Sequence, residues 1–320
     1  MKNWPDWYCP DHSLALKPLA DSLVCPQSHS YSIRKAIPRF VADSSYTDHF
    51  GTQWNKYRLT QLDSSMGRPY SKERLRRCMG EELWNSLAEK QVLECGCGAG
   101  RFTEVLLACG AKVTSIDLSQ AVDANAATFP VGPAHRVAQA DIERLPFQPQ
   151  QFDLVFCLGV VQHTPNPERT IAALYSHVAP GGSLIIDHYT GVLKWYTRTA
   201  PFFRWWLRRM PPGKAMAVTD RMVELLLPLH KAVRSVPVAR SIVPRISPLM
   251  TYYTSAPDLP DNLQRDMALL DTHDTLTDWY KHFRTRKQIL KTLQRLALGE
   301  IWCEYGGNGV EARGKRPAAG

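Results

Sequence analysis

Residues 93–102, LECGCGAGRF, set three glycines at alternate positions directly behind a short apolar run and follow them with an arginine and a phenylalanine. Glycine has no Cβ and tolerates positive φ, so a loop built this way lets backbone approach a ligand closely. Nucleotide-type ligands exploit such loops. The dinucleotide fingerprint, however, leaves two intervening residues between its second and third glycines. Here that position is Arg101, and an acid, Glu94, stands before the first glycine. Taken alone, the loop reads equally well as a tight strand-to-helix turn with small residues for packing, so its surroundings decide.

Those surroundings alternate. QVLEC, AKVTSID, FDLVFCLGVV and GSLIID, all between 91 and 187, are strand-like with helices between them. That is the βαβ pattern of a parallel, doubly wound sheet. Asp117 closes VTSID, where an acid can accept both hydroxyls of a ribose. Asp141, after a further strand in AQADIERLPF, can reach an adenine amino group, with Ile142 beside it as an apolar wall for the ring. Near the C-terminus an amphipathic helix at about 284–298 precedes EIWCEYGGNGVEARGKR, a hairpin around Gly306–Gly309 that completes the sheet with an antiparallel edge. A short polar tail follows Arg313.

Glycine loop, two acids and the PGG turn at 180–182 together resemble the class I S-adenosylmethionine-dependent methyltransferases, over about 91–187 and again over about 284–313. The resemblance implies an α/β fold with a Rossmann-like seven-stranded sheet. It implies that the loop of Glu94, Gly96, Gly98 and Gly100 cradles the methionine part of the cofactor and that Asp117 holds the ribose. Leu118 then packs on the adenine, Asp141 and Ile142 address its edge, and Leu158 and Gly159 lie under the sulfonium. YTDHFGTQWNKYRLTQLDS, residues 46–64, places Tyr46, Phe50 and Trp54 four apart, a stripe that usually means core packing. Similar segments precede the glycine loop in a group of bacterial methyltransferases, where the helix closes over the cofactor. Phe50, Trp54 and Arg58 are therefore candidate cofactor contacts.

A sulfonium methyl is already activated, so such an enzyme mainly aligns a nucleophile and excludes water. A hydroxyl acceptor must also lose a proton, whereas a neutral amine need not. His163, in VVQHTPNPERT at the carboxyl end of the fourth strand, is the candidate base or substrate contact. The competing expectation is that it caps the turn before a helix starting near Pro167.

At the N-terminus CPDH and CPQSH supply Cys9, His12, Cys25 and His29, two pairs on short turns with a hairpin-length segment between them. That spacing suits tetrahedral zinc. The layout resembles the zinc ribbons before some methyltransferase domains, notably those of rRNA guanine methyltransferases, although His12 departs from the cysteine usual there. A ribbon that has lost its metal and survives by packing is the alternative.

Residues 191–283 break the alternation and look inserted and mainly helical. WYTRTAPFFRWWLRRMPPGK, residues 195–214, is cationic and aromatic. It is expected to pack its aromatics inward as a lid, with a membrane-surface segment as the competing reading. LLDTHDTLTDWYKHF, residues 269–283, gathers Asp271, His273, Asp274, Trp279, Tyr280 and His282 for acceptor recognition. The chain thus divides into a zinc-ribbon-like module (1–42), a helical cofactor-capping segment (43–90), a methyltransferase core (91–190), an inserted acceptor lid (191–283) and the end of the core with its tail (284–320).

The 320 residues, 44% hydrophobic and 22% charged, suffice for a sizeable core and exclude a wholly disordered chain. No apolar run approaches the ~18 residues of a membrane span, and MKNWPDWYCPDH has no continuous apolar stretch, so a cytoplasmic protein is expected. Cys95, Cys97, Cys109 and Cys157 sit in core-like segments, as reduced thiols do. The formal charge of +9 permits nucleic acid or an anionic surface as partner. The leading expectation is methyl transfer from S-adenosylmethionine to a small-molecule, glycan or lipid-linked acceptor, by O- or N-methylation. A large insertion after the fifth strand is where such enzymes build acceptor pockets. The alternative is an RNA methyltransferase acting on an rRNA base, with the ribbon as its RNA-binding module. A third reading, a non-catalytic binding module on this fold, conflicts with the intact loop and acids.

Overall fold

The computed structural model describes residues 4–41, 46–191 and 199–318. The expected boundary at 42/43 and the first residues of the cationic and aromatic stretch, 195–198, lie outside them.

Two sheets form. The first is small and antiparallel, in the order β1 (Lys17–Leu19), β2 (Ser22–Val24), β3 (Ser30–Arg34), β4 (Ile37–Pro38). The second has seven strands: β5 (Gln91–Cys95), β6 (Lys112–Asp117), β7 (His135–Gln139), β8 (Phe152–Cys157), β9 (Val178–Tyr189), β10 (Gly299–Gly306) and β11 (Gly309–Lys315). Their spatial order is β10-β11-β9-β8-β5-β6-β7. Strands β5 to β9 pair in parallel, while β11 runs antiparallel to both β9 and β10. The expected hairpin is present, and its second strand continues past Arg313 to Lys315. Strand order reverses between β5 and β8, and open α/β sheets bind ligands beyond the carboxyl ends of the strands at such a point.

The helices are α1 (Asp48–Lys56), α2 (Asp63–Met66), α3 (Tyr70–Met79), α4 (Glu81–Asn85), α5 (Arg101–Ala108), α6 (Ala121–Thr128), α7 (Pro167–Ser176), α8 (Ala200–Leu207), α9 (Pro212–Val233), α10 (Pro237–Ile246), α11 (Asp261–Thr277) and α12 (Arg286–Arg295). Local chemistry fixes several ends. Asn166 caps α7, its side chain accepting from Arg169 N at 3.1 Å, so the competing expectation that His163 is that cap is corrected. Thr285 and Gln288 form a capping box on α12.

Both faces of the large sheet are covered. One buries Phe152, Leu174, Ile186 and Ile289 beneath α7 and α12, the other Leu75, Leu106, Val113 and Phe156 beneath α3 and α5. The small sheet docks at the β7 edge: Phe40 N donates to Gln139 O at 2.8 Å, and the Trp7 ring lies 5.4 Å from Phe40 and 5.0 Å from Phe147. Helix α1 packs between α6 of the core and α9 and α11 of the helical layer, so α1 and that layer together roof the carboxyl ends of β5, β6 and β8.

Candidate active site

Under this roof lies a cavity of about 480 Å³, within the ~300–1,000 Å³ range of small-molecule sites. One wall is the glycine loop. Gly96 holds φ at 77°, and a Cβ there would stand 2.2 Å from Val160 Cγ2, so only glycine fits where the loop passes the end of β8. Asp117 ends β6 and braces the loop, accepting from Gly98 N at 3.0 Å and from Ser119 N and Oγ at 2.8 and 2.7 Å. Burial raises the Asp117 carboxyl, against these donors. Gly96, Gly98, Asp117, Leu118, Asp141, Ile142, Leu158 and Gly159 all face the cavity, as do Phe50, Trp54 and Arg58 from the α1 segment. Asp141 Oδ1 also accepts from Glu143 N at 2.9 Å.

Two residues of the expected set stand elsewhere. Glu94 is buried beneath the loop, where its Oε2 accepts from Thr103 Oγ1 at 2.5 Å and Ser115 Oγ at 2.8 Å. Burial outweighs these donors and raises its carboxyl to about 7. Glu94 therefore ties β5 to α5 and β6 rather than lining the cavity. Gly100 starts α5 at φ 99°, and a Cβ there would meet the Phe129 ring at 2.8 Å, so its role is close packing against the end of α6.

Arg101, Arg74 and Tyr189 line the cavity without having been singled out from the sequence. The Arg101 guanidinium donates to two neutral oxygens, Gln61 Oε1 at 2.7 Å and Ser71 Oγ at 3.2 Å, and burial lowers its pKa to about 10. A half-buried cation with neutral hydrogen-bond partners, beside the loop, fits a ligand carboxylate. Arg74 instead pairs with Asp187, whose Oδ1 accepts from Gly159 N at 2.5 Å and so anchors the end of β8.

The opposite wall comes from residues 250–275. Met250, Tyr252, Leu259 and Met267 supply apolar and aromatic surface, and Asp271 and Asp274 project from α11. Asp271 accepts from Tyr252 OH and from Gln61 Nε2 at 3.3 Å. Burial raises its carboxyl to about 7, with the Tyr252 bond pulling the other way. Burial also raises Asp274. The other members of the expected 269–283 cluster divide. His273 is buried away from the cavity, Nδ1 3.0 Å from Thr219 Oγ1, while Trp279 is exposed and His282 donates its backbone N–H to Gln162 O. Trp205 and Trp206 do not face the cavity at all, which overturns the expected inward packing of these aromatics.

His163 does face it, held edge-on to Phe50 and Tyr189. Its Nδ1 lies 3.0 Å from Asp278 Oδ2 and 3.1 Å from Tyr280 O. Asp278 also pairs with Arg204 and, at 3.1 Å, with Lys281. Burial raises the Asp278 carboxyl, but Lys281, His163 and Arg204 outweigh it and hold it at about 2.

On the turns flanking the small sheet, Cys9, His12 and His29 bring their ligand atoms within 4.8 Å of one another. Cys9 Sγ is 3.6 Å from His12 Nδ1 and 3.8 Å from His29 Nδ1, and Cys25, outside that trio, has its Sγ 3.4 Å from His12 Nδ1. Two donors at about 2.1–2.3 Å from one tetrahedral ion are about 3.4–3.8 Å apart, so these edges fit zinc. His29 Nδ1 also lies 3.1 Å from Asp11 Oδ2.

A methyltransferase-domain family profile matches residues 93–186. A ubiquinone biosynthesis O-methyltransferase of Pseudomonas putida is 35% identical over 134 residues, 40% of this chain and 56% of that protein. The protein of the same name from Dechloromonas aromatica is 34% identical over 131 residues, with the same coverage. The chain thus spans little more than half the length of these relatives. Among solved structures, an S-adenosylmethionine-dependent methyltransferase from Mesorhizobium loti aligns at 22% identity with a TM-score of 0.32, over 37% of this chain and 54% of that one. Taken with the strand order and the glycine loop, the profile and the two relatives identify residues 93–186 as a methyltransferase domain and support the class I S-adenosylmethionine-dependent kind.

Proposed function

We propose that the protein transfers the methyl group of S-adenosylmethionine to a hydroxyl of a small-molecule, glycan or lipid-linked acceptor. The observation that carries this reading is a single cavity lined by the glycine loop and Asp117 on one side, His163 at its edge, and Asp271 and Asp274 on the other. The O-methyltransferase names of the relatives point to oxygen rather than nitrogen.

Bound S-adenosylmethionine supplies a methyl already activated on a sulfonium. In this reading Asp117 holds the ribose hydroxyls, Leu118 and Ile142 flank the adenine with Asp141 at its edge, and Arg101 takes the amino-acid carboxylate. Phe50 and Trp54 exclude water from above. His163 is the base. Tyr280 O, the hydrogen-bond partner of Nδ1, can only accept, and the neighbouring Asp278 carboxylate carries negative charge, so Nδ1 carries the hydrogen, and Nε2, which has no partner among the described residues, keeps its lone pair for the cavity. Nε2 would take the acceptor's hydroxyl proton, leaving the oxygen as the nucleophile for the methyl group that bound S-adenosylmethionine would supply. Asp278 fixes the ring. The N-terminal module contributes a structural zinc site of Cys9, His12, Cys25 and His29, away from the cavity.

The test follows labelled methyl from the cofactor into total cellular RNA and into a metabolite and lipid extract, each at low and high salt. Labelling of the extract, little changed by salt, is expected. Labelling confined to RNA and lost as salt rises would establish an RNA enzyme instead, because phosphate contacts depend on counterion release.

A further inference from the structure

The helical layer turns its aromatics outward. Phe202 is 71% exposed, Trp205 60% and Trp206 44%, all on α8. On α10, Val238, Ile242 and Ile246 recur every four residues at 69%, 48% and 63% exposure, a single apolar stripe facing solvent. Leu225 and Leu229 do the same on α9. Of the fifteen large hydrophobic side chains exposed among the described residues, nine fall within residues 199–246. The three helices are contiguous: α9 packs on α10, and Thr199 at the head of α8 donates to Ile246 O at 2.8 Å.

Charge accompanies this apolar surface. Residues 199–246 hold nine lysines and arginines against two acids, Asp220 and Glu224. Asp220 is taken up by Lys56 and Tyr57. Arg209, Lys214, Arg240 and Arg245 are exposed beside the apolar positions. Scattered exposed hydrophobics are ordinary, but a concentration of them marks a partner.

We propose that residues 199–246 dock the protein on the surface of an anionic lipid bilayer. Exposed tryptophan and phenylalanine suit the headgroup boundary, aliphatic stripes the outer acyl region, and arginines and lysines the anionic headgroups. A second copy of the chain is the poorer occupant, since it would set one cationic face against another. A nucleic acid would pair with the cations and leave Val238, Ile242 and Leu225 without partners. No helix among the described residues is long and apolar enough to cross a membrane, so the contact is peripheral. The segment directly after α10 carries Met250, Tyr252 and Leu259 into the cavity wall, so docking brings the acceptor side of the site toward the bilayer.

The experiment is sedimentation of the full chain with phosphatidylcholine vesicles and with vesicles in which about one third of the lipid is phosphatidylglycerol, at low and high salt. Binding to the anionic vesicles should exceed binding to the neutral ones by roughly tenfold at low salt and weaken as salt rises. The paired substitution Val238→Glu and Ile242→Glu should lower that binding by roughly tenfold while melting temperature and its rise with S-adenosylmethionine stay at wild-type values. Trp205→Ala with Trp206→Ala tests the same surface from α8. The proposal is overturned if the wild type does not sediment with anionic vesicles, or if both variants sediment like it. It is equally overturned if the glutamate pair abolishes a dimer seen by light scattering without touching vesicle binding.

Discussion

His163 Nδ1 lies 3.0 Å from Asp278 Oδ2, and this contact joins the loop behind β8 to the end of α11. Asp278 is the shared counter-charge of Arg204 and Lys281 as well, so it fixes the candidate base and clamps the helical layer to the core together. Asp278→Asn leaves those cations without a compensating charge and should cost about 3–5 kcal/mol in urea unfolding. His163→Gln should preserve the rise in melting temperature with S-adenosylmethionine while turnover of the acceptor found in the extract falls roughly 10²–10⁴-fold. Turnover within about twofold of wild type would remove His163 as the base.

Asp117→Ala removes the acceptor that holds Gly98 N and Ser119, together with the group proposed for the ribose. S-adenosylmethionine should raise the wild-type melting temperature by selective binding to the native state, and the variant should lose most of that rise. A nicotinamide or flavin cofactor that stabilises the protein when S-adenosylmethionine does not would refute the assignment.

Elemental analysis of protein purified without an affinity tag should find about one zinc per chain. Cys25→Ser should lose the metal while keeping the melting-temperature response to S-adenosylmethionine, because the small sheet lies at the β7 edge rather than in the cavity. Metal-free wild-type protein would count against the zinc site.

Asp271 sets a pH dependence. Burial raises its folded-state pKa to about 7 from an ordinary 3.8, so the native state holds the proton more tightly than the unfolded chain. Its contribution to stability is present below the unfolded pKa and declines as pH rises from about 4 to about 7. Asp271→Asn, which keeps an oxygen to accept from Tyr252, should flatten that decline and melt a few degrees above wild type at about pH 8. Equal melting temperatures at about pH 5 and about pH 8 in both proteins would contradict a raised Asp271.

The parts of the site that are legible in the chain are those built within a few residues of backbone. The 93–102 loop, the acids that end strands, the two Cys/His turns and the Gly306–Gly309 hairpin are each shaped by local φ/ψ preference and short spacing, so their residue types suffice to locate them. Glu94 shows the limit even there. It belongs to the same loop motif, but its strand position turns it toward Thr103 and Ser115 and away from the cavity.

Burial and pairing between distant segments lie beyond such reading, because they depend on which face each element presents once all are packed. Nothing in LTDWYKHF marks Asp278 as the partner of His163, nor does the arginine after the third glycine announce neutral partners from Gln61 and Ser71. The segment around Trp205 and Trp206 has a composition that suits either an inward lid or an outward surface. The sequence by itself determined the parallel sheet, the glycine loop with its acids, and the paired cysteines and histidines, through local periodicity and turn geometry. Only the tertiary structure decided that α8 turns its tryptophans to solvent while residues 250–275 wall the cavity, since α8 packs Ala200, Phe203 and Leu207 toward Leu276 and so leaves Phe202, Trp205 and Trp206 on its outer side.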